Sequence, residues 1–248
     1  MNSSASYHMQ IEWGEQTSKW FARASEYTGF HRRMADILSS NITPDETVCD
    51  LGCGTGMIDF CLRNQVTKIT CVDREPEAIR LINDRIVKEQ ADNMETICSD
   101  IQDLSGMWDT CIMLFVGIRP SEVSTYLKLC KKRLLIVYRG GCQIHPNIKD
   151  QASRHKSLLP LYNAFLEAGI RCRMQPYSLE YGQPCTDLTD AFNYVTFYHK
   201  NPVYMGAMDY IHANMERTYQ FPYPYYLPYQ KKFGVIEINK KDNLDLCN

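Results

Sequence analysis

The sequence contains no Cys-x-x-Cys pair and no Cys/His pairs recurring at finger-like spacing, which disfavours a structural zinc ion. Nowhere do about 18 apolar residues run together, so a membrane-spanning helix is excluded on length. The opening Met1 to Ser6 has neither a charged segment nor an apolar stretch, so no secretory leader is expected there. Excess charge is lacking too: 27 Lys and Arg against 29 Asp and Glu leave a formal net charge of -2, which gives no general attraction for a polyanion. Three short basic clusters, His31 to Arg33, Lys131 to Arg133 and Lys231 with Lys232, read as solvated helix or loop ends. Cysteine, by contrast, is plentiful. The count of 11 is odd, and Cys49, Cys71, Cys98 and Cys111 fall in or beside apolar strand-like runs, where cysteine acts as a small buried hydrophobe. No disulfide framework is expected, and a reducing cytoplasm is. With 248 residues the chain can bury a full core as one domain, with room for roughly 50 to 100 residues beyond a minimal nucleotide-binding sheet.

The most informative stretch runs from Val48 to Gly56. Val48 to Leu51 reads as a short buried strand, after which Gly52, Gly54 and Gly56 let the chain turn sharply and bring bare backbone up to a ligand. A second apolar run, Ile69 to Val72, ends in Asp73, whose carboxylate at a strand end can accept both ribose hydroxyl hydrogens. The dinucleotide fingerprint G-x-G-x-x-G would need glycine at position 57, which is Met57. The acid two residues before the first glycine, Asp50, would repel a pyrophosphate but suits a cationic sulfonium ligand carrying an ammonium group.

Asp50 with Gly52, Gly54 and Gly56 resembles the D-x-G-x-G-x-G motif of the class I S-adenosylmethionine-dependent methyltransferases. Three further landmarks follow in order. Asp73 with Arg74 looks like the family's second motif, in which the acid holds the ribose and its neighbour lies against the adenine. Asp100 with Ile101 looks like the third, meeting the adenine amino group and the ring. Trp108 to Val116 looks like the fourth strand, with Phe115 near the methionine moiety or the acceptor. The resemblance thus implies S-adenosyl-L-methionine as cofactor, held by Asp50, Gly52, Cys53, Gly54, Gly56, Asp73, Arg74, Asp100, Ile101 and Phe115. Taken singly, Asp50 and Asp73 also fit turn or strand-end acids, and Asp100 fits a helix cap.

Strand patterns near 47–51, 68–72, 94–98, 109–115, 133–138, 171–179 and 233–239 alternate with helical ones near 57–64, 76–90, 121–130 and 157–168, which argues for a parallel sheet with right-handed crossovers. The expected fold is α/β, a Rossmann-like seven-stranded sheet with an antiparallel last strand. The family resemblance implies that last strand, at Phe233 to Ile238. Trp20, Ala24, Tyr27, His31, Met34 and Leu38 recur at helical steps, so residues 15–40 read as one helix within an N-terminal cap of residues 1–43. Residues 44–181 and 233–241 form the sheet core of a single domain. Between them, residues 182–232 form an insertion, helical over 186–200 and 202–217, crowded with aromatics and expected to cover the substrate. Residues 242–248 are a tail. The Pro- and Tyr-rich run from Phe221 to Pro228 could alternatively be an extended ligand for a partner's groove.

Methyl transfer from a sulfonium is an in-line displacement that needs alignment, exclusion of water and, for some acceptors, removal of a proton. Nothing in that list demands a unique catalytic residue. His31, Tyr138 and His145 are the candidate proton acceptors, each also readable as structural, and Tyr27, His31, Arg139, His145, Tyr194 and Tyr198 are candidates to line the acceptor site. The stretch Met113 to Ile118 lacks the (D/N)-P-P-(Y/F) signature of amino-directed nucleic-acid methyltransferases and the acids of metal-dependent catechol-type enzymes, so no metal is expected. The function expected is methylation of a small or medium-sized organic acceptor in the cytoplasm, with no nucleic-acid or membrane partner and an oligomeric state left open. The alternatives are an RNA or protein methyltransferase and a catalytically silent cofactor-binding module.

Overall fold

The computed structural model describes residues 15–140, 157–198 and 206–246, which fall into two compact units: Phe30–Leu179 with Gln230–Asn248, and Met1–Gly29 with Glu180–Tyr229. The larger unit is built on a seven-stranded sheet. Its strands are β1 (Thr47–Leu51), β2 (Lys68–Asp73), β3 (Met94–Cys98), β4 (Trp108–Leu114), β5 (Cys130–Arg139), β6 (Arg173–Glu180) and β10 (Gln230–Asn239), in the order β3-β2-β1-β4-β5-β10-β6. The pairs β1–β2, β2–β3, β1–β4 and β4–β5 are parallel, while β10 runs antiparallel to β5 with Val235 opposite Val137. This is the expected Rossmann-like sheet with its antiparallel last strand.

The central strands are short, nearly unbroken apolar runs because both of their faces are covered. Val48, Cys49 and Leu51 of β1, Ile69, Cys71 and Val72 of β2, and Leu134 to Val137 of β5 are all fully buried. The helices α2 (Phe30–Ser39), α3 (Asp59–Leu62), α4 (Pro76–Glu89), α5 (Val123–Lys128) and α6 (Leu158–Glu167) follow the expected alternation. Below the sheet, at the start of β1, the buried carboxylate of Glu46 accepts from Thr110 Oγ1 at 2.6 Å and pairs with Arg133 at 3.3 Å and Lys132 at 3.2 Å.

Two expectations about helices are corrected. Residues 15–40 form not one helix but two, α1 (Glu15–Thr28) and α2, because Gly29 sits at φ 65°, a left-handed conformation that ends one helix before the next begins. In the smaller unit, α7 (Leu188–Tyr198) matches the first expected helix. The second is α8 (Ala207–Asn214), which ends before the 217 read from periodicity, while residues 202–205 of that expectation lie outside the described residues. The chain then enters β8 (Glu216–Gln220), which pairs antiparallel with β9 (Tyr223–Leu227). β9 in turn pairs with β7 (Gln183–Cys185). The insertion therefore carries a three-stranded sheet that helical periodicity did not foresee. Pro224 is tolerated in its central strand because the β8–β9 register shifts there, between Arg217 and Gln220, so no ladder bond is asked of its missing N–H.

The smaller unit is held by aromatic packing and a half-buried polar knot. Trp20 of α1 meets Tyr194, Phe197 and Tyr198 at ring-centroid distances of 5.5, 5.8 and 6.3 Å, and its indole N–H donates to Asp190 Oδ1 at 2.8 Å. Arg23 closes the knot on the same carboxylate. Tyr27 lies 5.2 Å from Tyr226, and Phe21 lies 6.1 Å from Tyr181. No helix among the described residues is long and apolar enough to cross a membrane.

Candidate active site

The C-terminal ends of β1, β2, β3, β4 and β5 share one edge of the larger unit, and the glycine loop leaves β1 there. Gly52, Gly54 and Gly56 have φ of 87°, 56° and 69°, so all three occupy the left-handed region where a Cβ is costly. Their surroundings differ. A Cβ on Gly52 would fall 2.8 Å from Val116 Cγ2, and one on Gly56 would fall 3.1 Å from Ile82 Cγ1. A Cβ on Gly54 would meet nothing within 4 Å, so this glycine is required by backbone conformation while the space beside it is open.

The loop is pinned from below by the N–H groups of Gly52 and Cys53, which donate to Val72 O at 2.8 and 3.0 Å. From the side it is pinned by Asp73, whose Oδ2 accepts from Gly54 N at 2.8 Å while Oδ1 accepts from Glu75 N at 3.0 Å. Each oxygen of a carboxylate has two acceptor directions, so both keep one for a further donor. Arg74 is exposed and pairs with Glu75 at 3.5 Å. Asp100 is exposed at the end of β3 and accepts from Gln102 N at 3.0 Å, capping a short turn, and Ile101 packs against the core. Cys53 is half-buried in the loop.

Under the loop lies a pair that the sequence only half disclosed. Asp50 is 1% exposed and Asp59, in α3, is 0% exposed. Oδ1 of Asp50 and both side-chain oxygens of Asp59 are buried without a hydrogen-bond partner. Burial, then the neighbouring Asp59, pushes the Asp50 carboxyl well above the usual carboxylate range. Burial likewise raises Asp59, to about 7. The first apolar residues of α3 hid this acid: between Ile58 and Phe60 it reads as an ordinary solvated acid of a helix's first turn.

At the end of β4, Phe115 takes φ 58°, an uncommon conformation for an aromatic residue, with its N–H on Val137 O at 2.8 Å. Lys231, at the start of β10, sets its ammonium 4.4 Å from the centre of the Phe115 ring and 5.2 Å from that of Phe30. The sequence placed Lys231 in a solvated basic cluster. It is instead half-buried, and burial followed by the charge of Arg139 lowers its pKa to about 8. His31 is buried beside Phe30, and burial followed by the Lys231 charge lowers its pKa to about 3. A proton-accepting role for His31 near neutral pH is therefore opposed by its surroundings. Tyr138 is buried at the end of β5 and Arg139 is exposed beside it. Tyr27, Tyr194 and Tyr198 belong to the aromatic clusters of the smaller unit, and His145 lies outside the described residues.

Residues 42–112 match a family model described as a methyltransferase domain, a span that runs from before β1 through the glycine loop into β4. Over 103 residues the chain is 28% identical to a probable cobalt-precorrin-6B C(15)-methyltransferase (decarboxylating) from Methanobrevibacter smithii. That alignment covers 41% of this chain and 55% of the relative, so the chain matches about half the length of that curated relative. In fold the chain is similar to a SAM-dependent methyltransferase from Aquifex aeolicus, with a TM-score of 0.51, 17% identity and coverage of 66% and 90% of the two chains. It is also similar to magnesium protoporphyrin IX methyltransferase from Synechocystis PCC 6803 with bound SAH, with a TM-score of 0.50, 14% identity and coverage of 90% and 88%. In sequence around the loop and in fold over most of its length, the chain is thus similar to the class I S-adenosylmethionine-dependent methyltransferases that its motifs resemble.

Proposed function

We propose that this protein transfers a methyl group from S-adenosylmethionine to a small or medium-sized organic acceptor. The observation that carries the reading is the joint between two motifs: Asp73 Oδ2 holds Gly54 N at 2.8 Å, beside open space at Gly54, and Asp50 at the root of the same loop has an orphaned oxygen. A positively charged, ribose-bearing ligand fits that combination, because Asp73 keeps acceptor capacity for hydroxyl hydrogens and Asp50 needs a donor. S-adenosylmethionine, when bound, supplies an electrophilic methyl on a sulfonium.

The chain's own residues then bind, orient and exclude water. Asp73 takes the ribose, with Arg74 and Ile101 flanking the adenine and Asp100 meeting its amino group. Gly52 and Cys53 present backbone to the methionine moiety, and Phe115 shields it. Of the candidate proton acceptors, Tyr138 and His145 remain, and Lys231 joins them on account of its place against Phe115 and its lowered pKa. Acceptor recognition is assigned to the aromatic insertion of residues 182–232, with Tyr27, His31, Arg139, His145, Tyr194 and Tyr198 as the lining candidates. In support, Ser178 of β6 meets Gln230 of β10 at 3.3 Å, so the chain leaves and re-enters the sheet where β6 ends and β10 begins, and β10 begins beside Arg139. A small acceptor also agrees with the named substrates of the methyltransferases described above, and nine free cysteines among the described residues agree with a cytoplasmic location.

Incubating the protein with methyl-labelled S-adenosylmethionine and a fractionated cell extract tests this. Label should enter a low-mass product. Label confined to RNA or protein would overturn the small-acceptor assignment, and no transfer despite tight cofactor binding would point to a silent module.

A further inference from the structure

The Asp50–Asp59 pair has a consequence for how the donor is held. Two carboxyl groups, each almost without solvent exposure, are neighbours from β1 and α3, near enough for Asp59 to raise the Asp50 carboxyl, and three of their four oxygens have no hydrogen-bond partner. If both were ionised, two like charges would be buried side by side; with both protonated, no charge would remain for a cation. The intermediate form, one proton between two carboxyl groups, turns the repulsion into a hydrogen bond and leaves a single negative charge spread over the pair. The other titratable groups around them do not change this arithmetic. Burial raises the thiols of Cys49 in β1 and Cys61 in α3. Cys71 in β2 is raised by its hydrogen bond with Cys53 and then by burial, and Cys53 is raised by burial although that same bond works against it. Asp73 is held by two backbone N–H groups, and of the cations around α3, Arg85 of α4 lies over the Phe60 ring at 3.9 Å and pairs with Glu89 at 2.6 Å, while Arg63 lies over the same ring at 5.5 Å and pairs with Glu89 at 3.2 Å.

We propose that Asp59 is a second acid of the donor site. On this proposal Asp50 and Asp59 together receive the ammonium of the donor's methionine moiety as a hydrogen-bonded carboxyl–carboxylate pair, and one proton passes to solvent when the donor binds. The proposal rests on the donor reading above. One carboxyl O–H bond breaks, its proton goes to water, the remaining proton stays between Asp50 and Asp59, and the ammonium supplies the compensating charge. The pair's burial makes the exchange visible in mildly acidic solution, since Asp59 is raised to about 7 and the ligand's ammonium pulls it down. The ligand's own α-amino group is already protonated in that window, and any protonation of it on binding would give proton uptake, the opposite sign.

The experiment is isothermal titration of S-adenosylhomocysteine into the full chain at about pH 6, in two buffers of different ionisation enthalpy. It is repeated with 5′-methylthioadenosine, which keeps the adenosine and thioether but lacks the amino-acid moiety. We expect release of up to one proton with S-adenosylhomocysteine and none with methylthioadenosine. Affinity for the former should fall as the pH is lowered from 7 to 5.5, at a limiting slope of about tenfold per pH unit for one proton. Asp59→Asn, whose amide can donate to Asp50 without a shared proton, should abolish the release and flatten the pH dependence. The wild-type comparison of the two ligands stands without that variant. Binding of S-adenosylhomocysteine with no proton exchange, or equal release with both ligands, overturns the pairing while leaving the donor site intact. Failure of both ligands to bind overturns the donor reading itself.

Discussion

Replacing Gly54 by alanine separates the loop's role in folding from its role in binding. At φ 56° an L-residue carries a backbone penalty, and nothing lies within 4 Å of the added methyl, so no clash adds to it. The expected loss is about 1 to 2 kcal/mol, the general cost of left-handed backbone with a Cβ. Gly169 supplies a matched control in the same unit, because its φ is 76° and its Cβ position is equally open. For a chain of this size each kcal/mol corresponds to roughly 2 to 4 °C, so both variants should lose about 2 to 8 °C of Tm. Ligand stabilisation should then part them. Wild type and Gly169→Ala should each gain about 2.7 kcal/mol at a concentration of S-adenosylhomocysteine 100 times the wild-type Kd, whereas Gly54→Ala should gain little, its methyl projecting into the space assigned to the ligand. Thermal denaturation with and without S-adenosylhomocysteine reads both numbers. If Gly54→Ala keeps the full ligand shift, the open space beside Gly54 is not the donor site.

Asp73→Ala should weaken S-adenosylhomocysteine by roughly 1.5 to 3 kcal/mol, the order of a charge-assisted hydrogen bond, and unchanged affinity in calorimetry would remove Asp73 from the site. It should also lower Tm, because the N–H groups of Gly54 and Glu75 lose their acceptor. Asp59→Asn should raise the stability of the ligand-free protein more at pH 8 than at pH 5. A carboxyl raised by burial favours the folded state only while protonated, and that advantage is lost as the pH rises through about 7; an equal gain at both values would contradict the burial assigned to Asp59. Glu46 has the opposite sign. Burial would raise it, but the Thr110 hydrogen bond and the charges of Arg133 and Lys132 hold it below its ordinary value. Its contribution is therefore present above the unfolded carboxylate pKa and lost as the pH falls through the lower folded value, so Glu46→Gln should flatten acid unfolding monitored by circular dichroism.

The sheet was legible because its strands are short apolar runs bounded by glycine, proline and charged helices, a pattern with few other solutions. The glycine loop was legible because three glycines and two acids at fixed spacing have a backbone reason to be there. What escaped depends on contacts far apart in sequence. The helix break at Gly29 lies inside an unbroken apolar stripe, so periodicity ran straight through it. Strands β8 and β9 were hidden because tyrosines and prolines lack a clear period of two, and Pro224 argues against a strand until the register shift beside it is seen. Asp59 and Lys231 carry charges whose sequence neighbours suggest solvent. Only the tertiary packing around α3 buries Asp59, and only the position of β10 beside Phe115 half-buries Lys231.

A crystal structure of the full chain with S-adenosylhomocysteine tests the donor site most directly. The ribose hydroxyls should lie on the Asp73 carboxylate, the homocysteine backbone against Gly52 and Gly54, and the sulfur toward Phe115. Density for the ligand elsewhere, or a glycine loop that leaves it unbound at saturating concentration, would contradict the assignment.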